Sequence, residues 1–254
     1  MMKRLLLCLL LALPLSAKEK LRVLMIGNSY TAQTHQMLKG FLEADGEVDP
    51  EMVVHSPGGA FLHQHAANPK VAKLLEREWD VVVVQEQSQL PAFAMNGDEG
   101  AEKRFLEGGE ALIEQVRQGP GEPRILLFQT WARHADDGKR GTLDHFGGKP
   151  ERMQDALAKG YALLAKKAGR GVEVVEVGRA FERWYRDKGY EDSKLSLHRG
   201  DGSHPSRLGA YLTGAVFYRA ITGKDASATG HRGDLEPAGV ADDLLKVAGT
   251  SERR

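Results

Sequence analysis

Residues 21–31 read Leu-Arg-Val-Leu-Met-Ile-Gly-Asn-Ser-Tyr-Thr. Leu21 to Ile26 is apolar apart from Arg22 and runs straight into Gly27-Asn28-Ser29, the pattern of a short buried strand closed by a turn. From about Thr31 to Ala44 the apolar positions Met37, Leu38, Phe41 and Leu42 recur at the spacing of an amphipathic helix. The same alternation continues down the chain. Met52-Val53-Val54 reads as a strand stopped by Pro57-Gly58-Gly59, and Val71 to Trp79 as a helix. Val81 to Val84 is an unbroken valine run, the composition of a strand buried on both faces. Helix, strand, helix and strand follow at Glu99–Gln118, Ile125–Phe128, Glu151–Ala168 and Val172–Val177. Leu208 to Ile221 is a helix introduced by Pro205 and a capping Ser206, and a last helix runs from about Gly239 to Val247. Short strands alternating with longer helices imply right-handed βαβ units on a parallel sheet. The expected fold is α/β, a three-layer α/β/α sandwich around five parallel strands.

The composition agrees with one domain. The chain has 254 residues, 41% of them hydrophobic, enough for a sizeable core. No Pro/Ser linker or repeat divides it, and the composition shifts near Ala94–Gly100 and Ala132–Gly148 read as loops. With 35 basic and 35 acidic side chains, no strong field points to nucleic acid or an anionic membrane. Residues 1–17 carry Lys3 and Arg4, an apolar run from Leu5 to Leu15, and Ser16-Ala17, the pattern of a cleavable signal peptide. That apolar run is shorter than the roughly 20 residues of a membrane span. The expected protein is therefore secreted or periplasmic, with residues 18–254 as a single domain and no stable span. Cys8, the one cysteine, leaves with the peptide, so no disulfide or thiol chemistry is expected.

In open parallel sheets, ligands sit beyond the carboxyl ends of the strands. Those ends carry Gly27-Asn28-Ser29, Ser56-Pro57-Gly58-Gly59 and Gln85-Glu86-Gln87-Ser88; Asp201-Gly202-Ser203-His204 stands downstream before a helix. Taken singly each has an ordinary reading: Ser29 as a helix N-cap, Gly58-Gly59 as a turn, Asp201 with His204 as a loop ion pair. Taken together they match the needs of acyl transfer by serine. A base must reach the hydroxyl, a carboxylate must orient the base, and N–H donors must face the developing oxyanion. Ser29 at a helix start gains from the positive helix end, and a glycine beyond the neighbouring strand lets a backbone N–H approach closely.

In order and spacing these segments resemble the four blocks of the SGNH (GDSL-like) hydrolase superfamily, from about Leu21 to Ile221. Gly27-Asn28-Ser29 is similar to the first block, in a GNS rather than GDS form. Gly58-Gly59 falls where the second block's glycine lies, and Asp201-Gly202-Ser203-His204 matches the Asp-x-x-His of the last. The third block usually reads Gly-x-Asn-Asp, whereas this chain has Gln85-Glu86-Gln87-Ser88, closer to the Gln-Gly-Glu-like segment of carbohydrate acetylesterase branches. The resemblance implies a flavodoxin-like fold, Ser29, Asp201 and His204 as the catalytic residues, and Gly59 and Gln85 as oxyanion donors, with Gln87 as the alternative to Gln85. It implies hydrolysis of a small, O-acetyl-type ester on carbohydrate through an acyl-enzyme, with no cofactor. A lipase-like esterase or glycan O-acyltransferase of the same fold is the alternative, or a non-catalytic glycan-binding module.

Other constellations carry less. His63 and His65, with His55 nearby, stand at a spacing that makes a poor chelate, so no metal is expected. Asp136-Asp137-Gly138 begins like a calcium loop, but the later ligand positions do not follow. Trp131, Arg133 and His134 follow the fourth strand onto the site's rim, where Trp131 has two readings: a binding one, stacking on a sugar ring or lining an acyl pocket, and a core one, covering the core edge. Trp184 and Tyr185 are expected to pack within a helix or its flank.

Overall fold

The computed structural model describes residues 18–136 and 141–250. The proposed signal peptide, with Cys8, lies outside them, as do Asp137 and Gly138. The elements run β1 (Glu19–Ile26), α1 (Ser29–Asp45), β2 (Val48–His55), α2 (Leu62–Ala66), α3 (Pro69–Leu75), β3 (Val81–Val84), α4 (Leu90–Ala94), α5 (Glu99–Gln118), β4 (Arg124–Phe128), α6 (Pro150–Ala168), β5 (Val172–Val175), α7 (Val177–Lys188), α8 (Arg207–Thr222) and α9 (Val240–Gly249). Short 3₁₀ turns lie at Leu143–Phe146 and Ala226–Thr229.

The five strands form one parallel sheet in the order β2-β1-β3-β4-β5. Alternation along each strand sends Val23, Met25, Val81, Val83, Leu126 and Phe128 to one face, under α1, α7, α8 and α9. Leu24, Ile26, Val82, Val84, Ile125 and Leu127 face the other way, against α3, α5 and α6. Both faces are covered, and the valine run is buried for that reason. The architecture is the expected three-layer α/β/α sandwich.

Departures from the sequence reading are local. β2 is longer than Met52–Val54 because it follows the full length of β1 as an edge strand, where Pro50 costs no interior ladder bond. Arg22, the charged residue within the apolar run of β1, holds the amino end of the sheet through Asp80 and Glu78. β5 stops at Val175, and the chain turns at once into α7, which buries Phe181 and Trp184. α2 and α4 are single turns too short to show a helical period.

The order places a topological switch between β1 and β3: the chain leaves β1 toward β2 on one side and returns to β3 on the other. Their carboxyl ends therefore open a crevice, and the residues after Ile26 and Val84 stand at its two lips.

Candidate active site

The first lip is built by Asn28. It is the N-cap of α1, its side-chain Oδ1 accepting from the Tyr30 N–H at 3.1 Å while its amide donates to the Ala60 carbonyl at 3.3 Å. Because Asn28 takes the capping role, Ser29 is released from it and becomes the first helical residue. The Ser29 hydroxyl lies 2.9 Å from His204 Nε2. Gly27 is required here by space, since a Cβ would stand 2.3 Å from Thr31 Oγ1 and 2.6 Å from Gln85 Oε1.

His204 is set by its own loop. Asp201 Oδ2 accepts from His204 Nδ1 at 2.6 Å, and Oδ1 accepts the backbone N–H groups of Ser203 and His204 at 2.9 Å each. Burial pushes the Asp201 carboxyl up, but these hydrogen bonds, led by the one from the His204 ring, outweigh it and hold the group well below the usual carboxylate range. The pairing leaves Nδ1–H donating to Asp201 and Nε2 free to accept from the serine hydroxyl, the tautomer a general base requires.

Trp131 decides where this loop sits. Both of its faces are covered, by Tyr30 at 4.5 Å and by Phe181 at 4.3 Å, each within 3° of parallel. Its Nε1–H donates to the Ser203 carbonyl at 2.9 Å. Trp131 is 0% exposed, so of its two expected roles the structure gives the core one and leaves no ring face for a sugar. His198 adds a second strut: its Nδ1 accepts from the Tyr185 hydroxyl at 2.7 Å and its Nε2–H donates to the Ala132 carbonyl at 3.0 Å. Burial pushes His198 down to about 3, keeping it neutral.

The second lip corrects one expectation. Gln85 is 0% exposed and points under the Ser29 turn rather than into the crevice. Its Oε1 accepts from the Asn28 N–H and the Thr31 hydroxyl, each at 2.9 Å, and its amide donates to the Glu86 carbonyl. The cause is register: Gln85 N–H still donates to the Ile26 carbonyl, so the residue belongs to the sheet and its side chain meets the turn that ends β1. Gln87 is half-buried instead. Its Oε1 accepts from the Gln89 and Leu90 N–H groups, and its Nε2 makes no hydrogen bond among the described residues. Glu86 between them is buried, accepting from Leu62 N–H at 3.2 Å and Gln87 N–H at 2.5 Å. Burial outweighs those bonds and pushes its carboxyl up to about 8.

Gly59 lies at the tip of an exposed turn closed by Ala60 N–H to the Pro57 carbonyl at 3.2 Å. Its φ of +70° is the left-handed region that favours glycine, which Gly58 does not adopt. The hydrogen bond from the Asn28 amide to the Ala60 carbonyl ties this turn to the Ser29 lip.

The histidines near β2 separate. His65 is buried, with its Nε2–H donating to the Gly27 carbonyl at 2.9 Å, and burial pushes it down to about 4. His63 is exposed. Among the described residues no group of three or more His, Cys, Asp or Glu side chains is disposed to hold a metal ion, and no helix is long and apolar enough to cross a membrane.

No family model and no curated protein matches the chain in sequence. Solved structures do match in shape. A DUF4886 family protein from Bacteroides uniformis superposes with a TM-score of 0.75 at 20% identity, covering 91% of this chain and 93% of its own. A GDSL-like lipase described as putative, from Parabacteroides merdae, gives 0.60 at 15% identity over 81% of this chain and 97% of its own. An acetyl xylan esterase, AlAXEase, gives 0.58 at 15% identity over 79% of this chain and 100% of its own. The five-stranded parallel sheet, its strand order and these superpositions establish that the chain adopts the SGNH-like hydrolase fold.

Proposed function

We propose that this protein is a serine esterase that hydrolyses small esters, O-acetyl groups on carbohydrate in particular, and that it works outside the cytoplasm. One observation carries the reading: the Ser29 hydroxyl stands 2.9 Å from His204 Nε2 while Asp201 holds the opposite ring nitrogen at 2.6 Å. A site decayed to mere binding has no reason to keep all three side chains in mutual reach. The acetyl and carbohydrate parts draw on the acetyl xylan esterase among the structural neighbours, and export on the reading of residues 1–17. The single domain over residues 18–254 is part of the same proposal.

In the acylation half, Ser29 Oγ attacks the ester carbonyl carbon as its proton passes to His204 Nε2. Asp201 steadies the imidazolium. The negative oxygen is received by the Ser29 backbone N–H at the positive end of α1, the Gly59 N–H and the Gln87 amide. Collapse of the tetrahedral adduct expels the sugar oxygen, which takes the proton back from His204. Water, deprotonated by His204, then attacks the acyl-serine, and the proton returns to Ser29 as the acid leaves.

The test is release of p-nitrophenol from acetyl and octanoyl esters by the wild type and by Ser29→Ala. Acetyl-selective turnover that falls on the order of 10⁶-fold in the variant is expected. Turnover unchanged by the substitution ends the proposal, and preference for the octanoyl ester moves it to a lipase-like esterase.

A further inference from the structure

We infer that Arg133 is a positioning residue that fastens the three loops of the site to one another. The inference rests on the reading of Ser29 and His204 given above.

Arg133 follows β4 and is 4% exposed, so its guanidinium is committed inside the molecule. One nitrogen donates to the Tyr30 hydroxyl, and another donates to Ser88 Oγ at 3.1 Å. The Tyr30 and Ser203 hydroxyls are 2.9 Å apart. Each contact is the immediate sequence neighbour of a site residue: Tyr30 follows Ser29, Ser88 follows Gln87, and Ser203 precedes His204. Tyr30 also meets the His204 ring edge-on at 5.6 Å. Arg133 joins the Tyr30 and Ser88 loops directly, and the Tyr30 hydroxyl carries the link on to Ser203, 173 residues away.

The guanidinium suits this task in a way an ammonium does not. Its N–H groups form a fixed fork, so holding one hydroxyl sets the direction of the other. The Tyr30 oxygen that accepts from Arg133 also shares a hydrogen bond with the Ser203 hydroxyl, so the chain runs on from the guanidinium to the His204 loop. The Ser203 loop is then held from two sides, by Tyr30 at its side chain and by Trp131 at its carbonyl. A buried polar network favours one arrangement of its parts, as the Ser29–His204 contact requires. Arg133 touches neither nucleophile nor base, so its effect falls on their alignment. Misalignment lowers kcat and leaves substrate affinity nearly unchanged.

The experiment compares wild type with Arg133→Met, Arg133→Lys and Tyr30→Phe. Three readouts are taken below the unfolding transition: kcat and KM on p-nitrophenyl acetate, the rate of Ser29 labelling by a fluorophosphonate, and the low-field proton NMR signal of His204 Nδ1–H. Expected are a kcat loss of about 10–10²-fold with KM within about twofold, slower labelling in step with kcat, and a shifted or broadened His204 signal. Lys is not expected to rescue, because it keeps the charge and loses the fork. Tyr30→Phe placed on Arg133→Met is expected to add little, since both break the same chain. Arg133→Met or Arg133→Lys with wild-type kcat, or an unmoved His204 signal in both, overturns the inference. Should Arg133→Met not fold, Lys and Tyr30→Phe carry the same comparison. A wild type that the fluorophosphonate does not label at Ser29 sinks the esterase reading instead, and Arg133 is then judged on the His204 signal, which needs no turnover.

Discussion

Gln85 and Gln87 stand two positions apart with the same side chain, yet the fold gives them opposite environments. Gln85 is enclosed beneath the Ser29 turn, where its oxygen satisfies Asn28 N–H and the Thr31 hydroxyl. Removing it leaves those donors unpaired in the interior, at about 1–3 kcal/mol. Gln85→Ala should therefore appear mainly as lost stability in a denaturant titration. Gln87→Ala also frees the Gln89 and Leu90 N–H groups at the start of α4, so it should cost some stability, but less than Gln85→Ala because Gln87 is only half-buried. Its distinguishing effect is a kcat lowered by about 10²–10³-fold, the cost of one oxyanion donor. The reverse pattern returns the donor role to Gln85. A second residue-scale expectation concerns pH. The hydrogen bonds on Asp201 keep it ionised far into acid, so its hold on the His204 ring is expected to persist as pH falls. Asp201→Asn should lower kcat by about 10⁴-fold by stabilising the wrong tautomer, and a pH-rate series on both proteins checks it.

At the scale of elements, the site depends on where two segments end. α1 begins at Ser29 because Asn28 caps it, and the Asp201–His204 loop is positioned by the residues after β4. Trp131→Phe tests the second dependence. Phenylalanine keeps a ring to stack between Tyr30 and Phe181 but has no N–H for the Ser203 carbonyl. The expected result is a stable protein with kcat lowered by about 10–10²-fold, together with weakened Ser29 labelling. Unchanged turnover would show that the loop holds without this bond.

For the whole molecule, buried titratable groups oppose one another. His65 and His198 are pushed down to about 4 and about 3, so below the ordinary histidine value the unfolded chain binds protons that the fold refuses. Stability should fall as pH drops from about 6.5 toward those values. His55 and His231, also lowered by burial, act with the same sign. Glu86 acts in the other direction: pushed up to about 8 from 4.5, it keeps a proton that the unfolded chain has lost, so its contribution declines as pH rises through that window. Denaturant midpoints measured across the pH range should show Glu86→Gln losing this alkaline decline while keeping the acid one.

The α/β class, the five parallel strands and the helices α5, α6 and α8 were legible because each buries an apolar face long enough to leave a period in the sequence. Ser29, Asp201 and His204 could be singled out as candidates because acyl transfer demands those residue types at strand and loop ends, and the structure brings the three within hydrogen-bond reach of one another. α2 and α4 left no period to read, and α7 went unread because nothing marks the end of β5 after Val175. What the sequence by itself determined is the five strands, the long helices with an apolar face and the side chains that are candidates for the chemistry, since these follow from local periodicity and residue type. Only the tertiary structure decided that Asn28 caps α1, that Trp131 is sandwiched, that Gln85 turns inward while Gln87 does not, and that Arg133 joins the loops. Apart from the Asn28 cap, whose partner is two residues on and which packing merely secures through Ala60, those outcomes depend on partners tens of residues away, and a side chain's direction is fixed by the donors, acceptors and ring faces that packing brings beside it.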